Sequence, residues 1–548
     1  MNKTAVKELL GVLPLTAELY WYLHQPGKPL TAKISLHRLE KLIPEWRMQA
    51  EAPRRGASIR RDVSNGRQVL LFGTQRYWIE HVTLIGLALA GLGHEVSLAF
   101  LPYAVWQTPM NRFDLRRQNV YAREVLRKAE PLLRIVPFLS VKKAAVLPTE
   151  LQQAIQQNAL RDTQYTLQVE GVSVENDLYR LRLERDTEAA RAALAWMLSY
   201  PPDVVVIPNG TILEFGAVYQ VARYLELPVV TYEFGEQRQR IWLAKNAEVM
   251  HQETDDLWAA RRNLTLNEAQ SEQIRSLFAA RQRASLWENF SRRWQGVPSE
   301  GGQKVRRALG LDSRPVVLLA TNVIGDSLTL GRQVFSDSMT EWLERMIRYF
   351  AGRSDVQFVV RIHPGEMITK GQSVADMVRR VLPELPEHIH LIPADGQVNT
   401  YDIVEIADLG LVYTTTVGME MAMSGVPAIV IGRTHYRGKG FTLDPDSWEA
   451  YFELLERVLA SPERYRLSHT QVECAWNYAY RFFFEYPHPF PWHLLHIWDD
   501  LAEWPVSRVL SDEGQELYGR TFRYLVGEPV DWDVSGIPVS GVMQIHDT

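Results

Sequence analysis

The stretch DVVVIPNGTILEFGAVYQVARYLELPVVTYE, residues 203–233, changes its pattern twice. A β-branched apolar run ends at the turn Pro208, Asn209, Gly210; apolar residues then recur at helical spacing through Leu225; Pro228 opens a second run that closes on Glu233. Strand, helix, strand in that order is a βαβ unit, and apolar strands without a polar face predict a parallel sheet covered on both sides. The same grammar occurs upstream as QVLLFG from 68, WIEHVTLIGLALAGLG and HEVSLAFLPY. From 314 it resumes: VVLLA (316–320), VQFVVRIHP (356–364), HIHLIP (388–393), LGLVY (409–413) and PAIVIG (427–432) read as strands, separated by helices at 338–352, 374–382, 400–407 and 417–425.

This alternation predicts an α/β protein of two Rossmann-like parallel-sheet domains facing a cleft. Residues 1–67 form an N-terminal helical extension and linker, 68–245 the first domain with a helical insertion at 111–200, and 246–312 a helical connector. Residues 313–465 form the second domain and 466–548 an aromatic-rich helical tail. The tail is expected to pack across both domains, with sugar stacking or a membrane interface as the second reading of its aromatic residues.

A chain of 548 residues exceeds one hydrophobic core, in keeping with two domains. Its net charge of −5 offers no general attraction for nucleic acid. The single cysteine, Cys474, excludes an intramolecular disulfide and a cysteine-based zinc site, and favours a reducing, cytoplasmic setting. In MNKTAVKELLGVLPLTAELYWYL, charges at Lys7, Glu8 and Glu18 interrupt the apolar residues, so a helix broken at Pro14 is expected rather than a membrane span. Leu9, Leu10, Val12, Leu13, Leu15, Leu19, Trp21 and Tyr22 are expected to pack on the protein's own surface. Peripheral attachment to the inner face of the cell membrane is the second reading.

Candidate site residues cluster at strand ends, where open parallel sheets bind ligands. In the second domain Thr414, Thr415 and Thr416 lie between a strand and a helix, offering hydroxyls and backbone amides to a phosphate; a simple N-cap is the alternative. Arg361 and His363 in RIHPGE end another strand. Glu420, four residues after Thr416, shares its helical face and could accept ribose hydroxyls. Arg437 and Lys439 in HYRGKGFT suggest a basic loop facing the ligand. In the first domain Glu80, His81, Asn209 and Glu233 could supply a general base, Glu233 foremost. GxxxxGK[ST], HExxH and GxSxG patterns are missing from the sequence.

The order RIHPGE, VYTTTVGMEMAMSGVPAIVIG, HYRGKGFT, preceded by PNGTILEFGAVYQVARYLELPVVTYEFG, resembles bacterial capsule polysaccharide biosynthesis glycosyltransferases over about residues 68–465. The resemblance implies the GT-B architecture and sugar transfer from a nucleotide-sugar donor to a surface glycan or glycolipid, with no metal and no further cofactor. In relatives with the His-Pro turn the donor is often a cytidine nucleotide, so a CMP-sugar such as CMP-Kdo is favoured over UDP- or GDP-sugars. Carried across, His363 and Thr414 to Thr416 would hold phosphate and Glu420 the ribose, although Gly418 and Met419 depart from the small apolar residue and leucine of these relatives. The alternatives are a CDP-glycerol-type glycerophosphotransferase, a UDP-sugar 2-epimerase, and a non-catalytic scaffold of glycan assembly.

Overall fold

The computed structural model describes residues 3–57, 66–285 and 296–532. Strands β1 (Gln68–Thr74), β2 (Glu95–Leu101), β3 (Leu133–Pro137), β4 (Val204–Pro208), β5 (Val229–Glu233) and β6 (Arg240–Lys245) belong to the first sheet. Strands β7 (Val316–Ala320), β8 (Gln357–Arg361), β9 (Ile389–Ile392), β10 (Leu409–Val412) and β11 (Ala428–Val430) make the second, and β12 (His488–Pro489) returns to the first. The orders are β12-β6-β5-β4-β1-β2-β3 and β11-β10-β7-β8-β9. Within them, β3-β2-β1-β4-β5 and β9-β8-β7-β10-β11 are the same parallel arrangement, whereas β6 and β12 join antiparallel. The chain is therefore an α/β protein of two Rossmann-like domains. Each sheet reverses its strand order beside its first strand, at β1/β4 and at β7/β10, which places a ligand crevice above each reversal.

Period-two alternation explains why these strands are apolar throughout. Leu71 packs in the core on one face of the first sheet while Leu70 and Phe72 pack in the core on the other, and all three are fully buried. Leu318 and Leu319 divide in the same way between the two cores of the second sheet. The helix Met339–Ala351 buries Met339, Trp342, Leu343, Met346, Ile347 and Phe350, a 3–4 spacing that lays one face on the sheet.

Two pieces differ from the sequence expectation. The 111–200 insertion has its helices, Arg112–Leu126, Thr149–Leu167 and Asp177–Ser199, but also contributes β3. The insertion also reaches the second domain, where Glu170 accepts hydrogen bonds from the backbone N–H groups of Met339 (2.8 Å) and Thr340 (3.0 Å). The linker expected at the end of the 1–67 extension is helical to Ala57, because Trp46 and Ala50 of the helix His37–Ala57 are buried in the first-domain core; 58–65 lie outside the described residues. The connector helices Glu268–Gln282 and Gly302–Ala308 pack their apolar residues into the second-domain core.

The aromatic tail leaves the second-domain core after the helix His469–Tyr480 and crosses to the first domain. There β12 pairs with β6, and Phe490 and Trp492 are fully buried. The helices Ile497–Glu503, Val506–Val509 and Asp512–Leu525 complete the first-domain core, and 533–548 lie outside the described residues.

At the N-terminal end the helices Lys3–Val12 and Thr16–His24 are separated by a break at 13–15. Packing on the protein's own surface, expected for this segment, holds for Trp21, at 3% exposure, and fails for Leu9, Val12, Leu13, Leu15, Leu19 and Tyr22, which face solvent. Among the described residues no helix is long and apolar enough to cross a membrane.

Candidate functional site

A cleft of about 500 Å³ opens between the sheets, lined by turns at the carboxyl ends of strands from both domains. On the first-domain wall β4 ends in Asn209, whose φ of 56° is left-handed, a conformation asparagine tolerates better than most residues. That turn folds its side chain back. Nδ2 donates to Glu233 Oε2 at 2.8 Å, and Oδ1 accepts from the Thr211 N–H at 3.2 Å and its hydroxyl at 2.5 Å. Glu233, the last residue of β5, accepts from the Phe234 N–H through Oε1 at 3.0 Å. Its carboxylate is thus oriented by two donors while lining the cleft. Gly235 follows because a Cβ there would meet the Trp242 ring at 2.7 Å.

Arg240 opens β6 beside them. It is 5% exposed, and its guanidinium donates to the carbonyl of Pro487 at 3.2 Å. Among the described residues no carboxylate pairs with it, and burial pushes its pKa down to about 10, which still leaves it charged at neutral pH. A buried guanidinium in a cleft wall without a counter-ion suits an anionic ligand group.

On the second-domain wall stand Thr415, Thr416 and His363. Thr416 precedes the helix Val417–Met423 and forms no side-chain cap to it. His363 ends the β8 turn with its ring exposed to the cleft. Its Nδ1 accepts from the Gly365 N–H at 3.0 Å, so the neutral ring carries its proton on Nε2. Surrounding protein, then the Arg361 guanidinium, pushes its pKa down to about 4. At neutral pH His363 is an uncharged hydrogen-bond donor. The turn after β7, with Asn322, Asp326 and Ser327, completes this wall, and Asn322 Oδ1 accepts from the Thr414 N–H at 3.2 Å.

Of the residues singled out in the sequence, the structure brings Asn209, Glu233, His363, Thr415 and Thr416 to one cleft. The others lie elsewhere. Thr414 is 5% exposed and gives its hydroxyl to the Leu328 carbonyl at 2.7 Å, fastening two turns together. Arg361 is 2% exposed and donates to the Pro393 carbonyl at 2.5 Å. Glu420 is 1% exposed; its Oε1 lies 2.5 Å from Arg281 Nη2 and its Oε2 accepts from the Tyr401 hydroxyl at 3.0 Å, so its oxygens are taken up inside the protein and not offered to a ribose. Arg437 holds the carbonyls of Val430 and Pro445, and Lys439 pairs with Asp255, so the 435–442 loop is folded on itself and on the connector. Glu80 is 1% exposed and paired with Arg76 at 3.1 Å. His81 is fully buried, donating to the Trp492 carbonyl at 3.1 Å and facing the Tyr232 hydroxyl at 3.2 Å; burial pushes its pKa down to about 4. Neither can reach an acceptor.

The sequence reading missed Arg240 and Arg281; Phe482 and Phe483 of the cleft fall in the aromatic tail, under its second reading as sugar-stacking residues. Arg281 comes from the connector helix, held by Glu420 and by the Tyr401 hydroxyl at 3.3 Å, with Phe483 against its guanidinium at 5.4 Å. No local signal marks the two arginines, because each comes from a segment distant from the strand ends of the cleft.

No protein-family model and no curated protein matches the sequence. Among solved structures, the chain is similar to the KpsC β-Kdo 2,4 transferase of Thermosulfurimonas dismutans, at 17% identity and a TM-score of 0.32, over 50% of this chain and 78% of that one. It is also similar to the UDP-GlcNAc 2-epimerase of Neisseria meningitidis bound to UDP-GlcNAc, at 13% identity and a TM-score of 0.26, over 76% and 98%. A third is the calicheamicin glycosyltransferase CalG4, at 16% identity and a TM-score of 0.25, over 80% and 98%. Superpositions this loose decide nothing about activity, which rests on the cleft itself.

Proposed function

We propose that the cleft transfers a glycosyl group from a nucleotide-sugar donor to a hydroxyl of a capsular or cell-surface polysaccharide or glycolipid. The observation that supports this reading is the meeting, in one cleft, of a carboxylate oriented by Asn209 and Phe234 with a second-domain wall of hydroxyls and a neutral imidazole. Glu233 takes the acceptor hydroxyl's proton as the acceptor oxygen bonds to the anomeric carbon. The bond from that carbon to the phosphate oxygen breaks, and the phosphate leaves with the electron pair. Thr415, Thr416 and the Nε2–H of His363 hydrogen-bond the leaving phosphate, while Arg281 supplies positive charge to the same cleft. A CMP-sugar such as CMP-Kdo is the first donor to try, on the order of the His363 and threonine motifs, with UDP- and GDP-sugars next.

Thermal-shift screening against CMP, CDP, UDP and GDP tests the nucleotide, because a ligand of the native state raises the melting temperature. Turnover of the matching sugar nucleotide with a glycan acceptor should then give a glycosidic product. A donor altered without acceptor would replace this reading by epimerisation, and a phosphodiester product by glycerophosphate transfer. Absence of any shift with all four nucleotides would overturn it.

A further inference from the structure

We propose that the N-terminal helix pair seats the protein on a lipid bilayer carrying anionic headgroups, with the leucines of its elbow in the interfacial region. The helix Thr16–His24 is apolar on two opposite faces. Ala17 and Trp21, four residues apart, are buried at 0% and 3% exposure, and Tyr20 packs edge-on to Phe113 of the helix Arg112–Leu126. On the far side Leu15, Leu19 and Leu23 repeat at the same spacing with Tyr22, at 71%, 60%, 68% and 54% exposure. Leu9, Val12 and Leu13 extend this surface at 59%, 67% and 45%. Of the two apolar faces the protein covers only one, and an uncovered apolar face of this extent belongs against an apolar surrounding.

The elbow is built into the fold. Arg116 donates to the carbonyls of Gly11 at 3.0 Å and Leu13 at 2.6 Å, and its Nε donates to Glu18 at 2.9 Å. Gly11 is required there, since a Cβ would meet the Phe113 nitrogen at 2.7 Å. Lys7 is fixed by Asp114 at 2.7 Å. At the tip Leu15 has φ 60°, a left-handed conformation that a glycine would adopt with less strain, yet a leucine occupies it and points outward.

The surrounding charge favours an anionic bilayer over a second copy of the chain. Glu18 is neutralised by Arg116, and Glu124, which accepts from the Tyr22 hydroxyl at 3.3 Å, is paired with Arg127 at 3.6 Å, leaving exposed Arg112, Lys28 and Lys33 against Glu8 on the segments that carry the patch, in a chain whose net charge is −5. Tyr20, Tyr22 and His24 flank the leucines with amphipathic rings, the arrangement of an interfacial helix. Helices of 10 and 9 residues lie in such an interface and do not span it. The elbow sits against the first residues of the helix Arg112–Leu126, which connects parallel strands β2 and β3. In such a crossover the helix starts at the carboxyl ends of the strands, so the elbow lies at the cleft end of the first domain. On the proposed function, which this last point assumes, a membrane-borne acceptor would be brought toward Glu233.

The test uses the full chain with vesicles of phosphatidylglycerol and phosphatidylcholine, and with vesicles of phosphatidylcholine alone, without donor or acceptor. The chain should sediment with the anionic vesicles and more weakly with the neutral ones. Leu15→Ser/Leu19→Ser/Leu23→Ser should lower the partition roughly tenfold or more, with an unchanged melting temperature because the three side chains are exposed. As a measurement independent of that variant, Leu15→Trp should add fluorescence that brominated lipid quenches. Failure to sediment with either vesicle, sedimentation unaffected by the triple substitution, or no added quenching would overturn the proposal. So would a dimer that the triple substitution dissolves in a chain that ignores vesicles, which would assign the surface to a second copy. None of these outcomes bears on the nucleotide screen, so the two readings fail separately.

Discussion

The two walls of the cleft are built on sheets of the same strand order, yet they carry different chemistry. The first-domain wall presents charge: Glu233 steadied by Asn209, and buried Arg240, which no carboxylate pairs with among the described residues. The second-domain wall presents hydroxyls and a neutral imidazole beside the Asp326 carboxyl, with a charged pair, Glu420 and Arg281, drawn back into the protein where only Arg281 reaches the cleft. The shared five-strand order fixes where ligand-facing turns stand, while the residues at and just beyond each strand end decide what the turn can do; Arg240 is added by β6, which has no counterpart in the second sheet.

The sharpest way to break this contrast is to remove the carboxylate. Glu233→Gln keeps the Asn209 contact region and the volume but cannot take a proton. Turnover should fall about 10²–10⁴-fold, with nucleotide affinity nearly unchanged by calorimetry. Turnover close to that of the wild type would move the base elsewhere.

Next in size is the buried pair behind the second wall. Burial pushes the Glu420 carboxyl up, while the Arg281 guanidinium at 2.5 Å pulls it back. Glu420→Ala leaves Arg281 without its nearest carboxylate and should cost about 3–5 kcal/mol of stability, read by urea unfolding. A ribose ligand would behave differently: affinity would drop while stability held.

This pair also shows where the sequence is legible and where it stops. Strands of consecutive apolar residues and the polar turns that end them can be read locally, which is why Asn209, Glu233, His363 and the threonine turn stood out. The spacing of Glu420 from Thr416 correctly gave the helix face, but one turn further along the helix is also one turn deeper, beneath the cleft floor rather than in it. Arg361 stands at the end of its strand, but its head turns back to the Pro393 carbonyl, whereas His363, two residues on, has left the sheet. Strand β3 was hidden because Arg134 and its charged surroundings mask an edge strand of which only Leu133 and Val136 are buried. Arg240, Arg281 and Phe483 meet through pairings and crossings over many tens of residues, and such contacts leave no periodicity to find.

The first wall is backed by a neutral group, and acid should expose that. His81 is held uncharged, with its pKa near 4 in the folded protein against the usual 6.5. The unfolded chain takes up this proton below pH 6.5 and the folded chain does not until about pH 4. The group's contribution is therefore complete above pH 6.5 and declines as pH falls from 6.5 toward 4. By pH 4.5 this is worth about 2–3 kcal/mol. His81→Gln, which keeps a donor and an acceptor between Tyr232 and Trp492, should flatten the stability profile of urea unfolding over that range; an equally steep profile would reject the assignment.

The smallest expected effect tests the neutrality of the second wall's imidazole directly. His363→Ala should weaken nucleotide binding by about 1.5 kcal/mol, the lower end for a hydrogen bond to a charged group, and His363→Gln should recover part of it. Because the ring takes up a proton only near pH 4, it gives no titration step between pH 5 and 8. The affinity profiles of the wild type and His363→Ala over that range should therefore run parallel, both following the phosphate. If the wild type gained affinity over the variant as pH fell through 6.5, an imidazolium would be binding the phosphate, and the second wall would work by charge as the first one does.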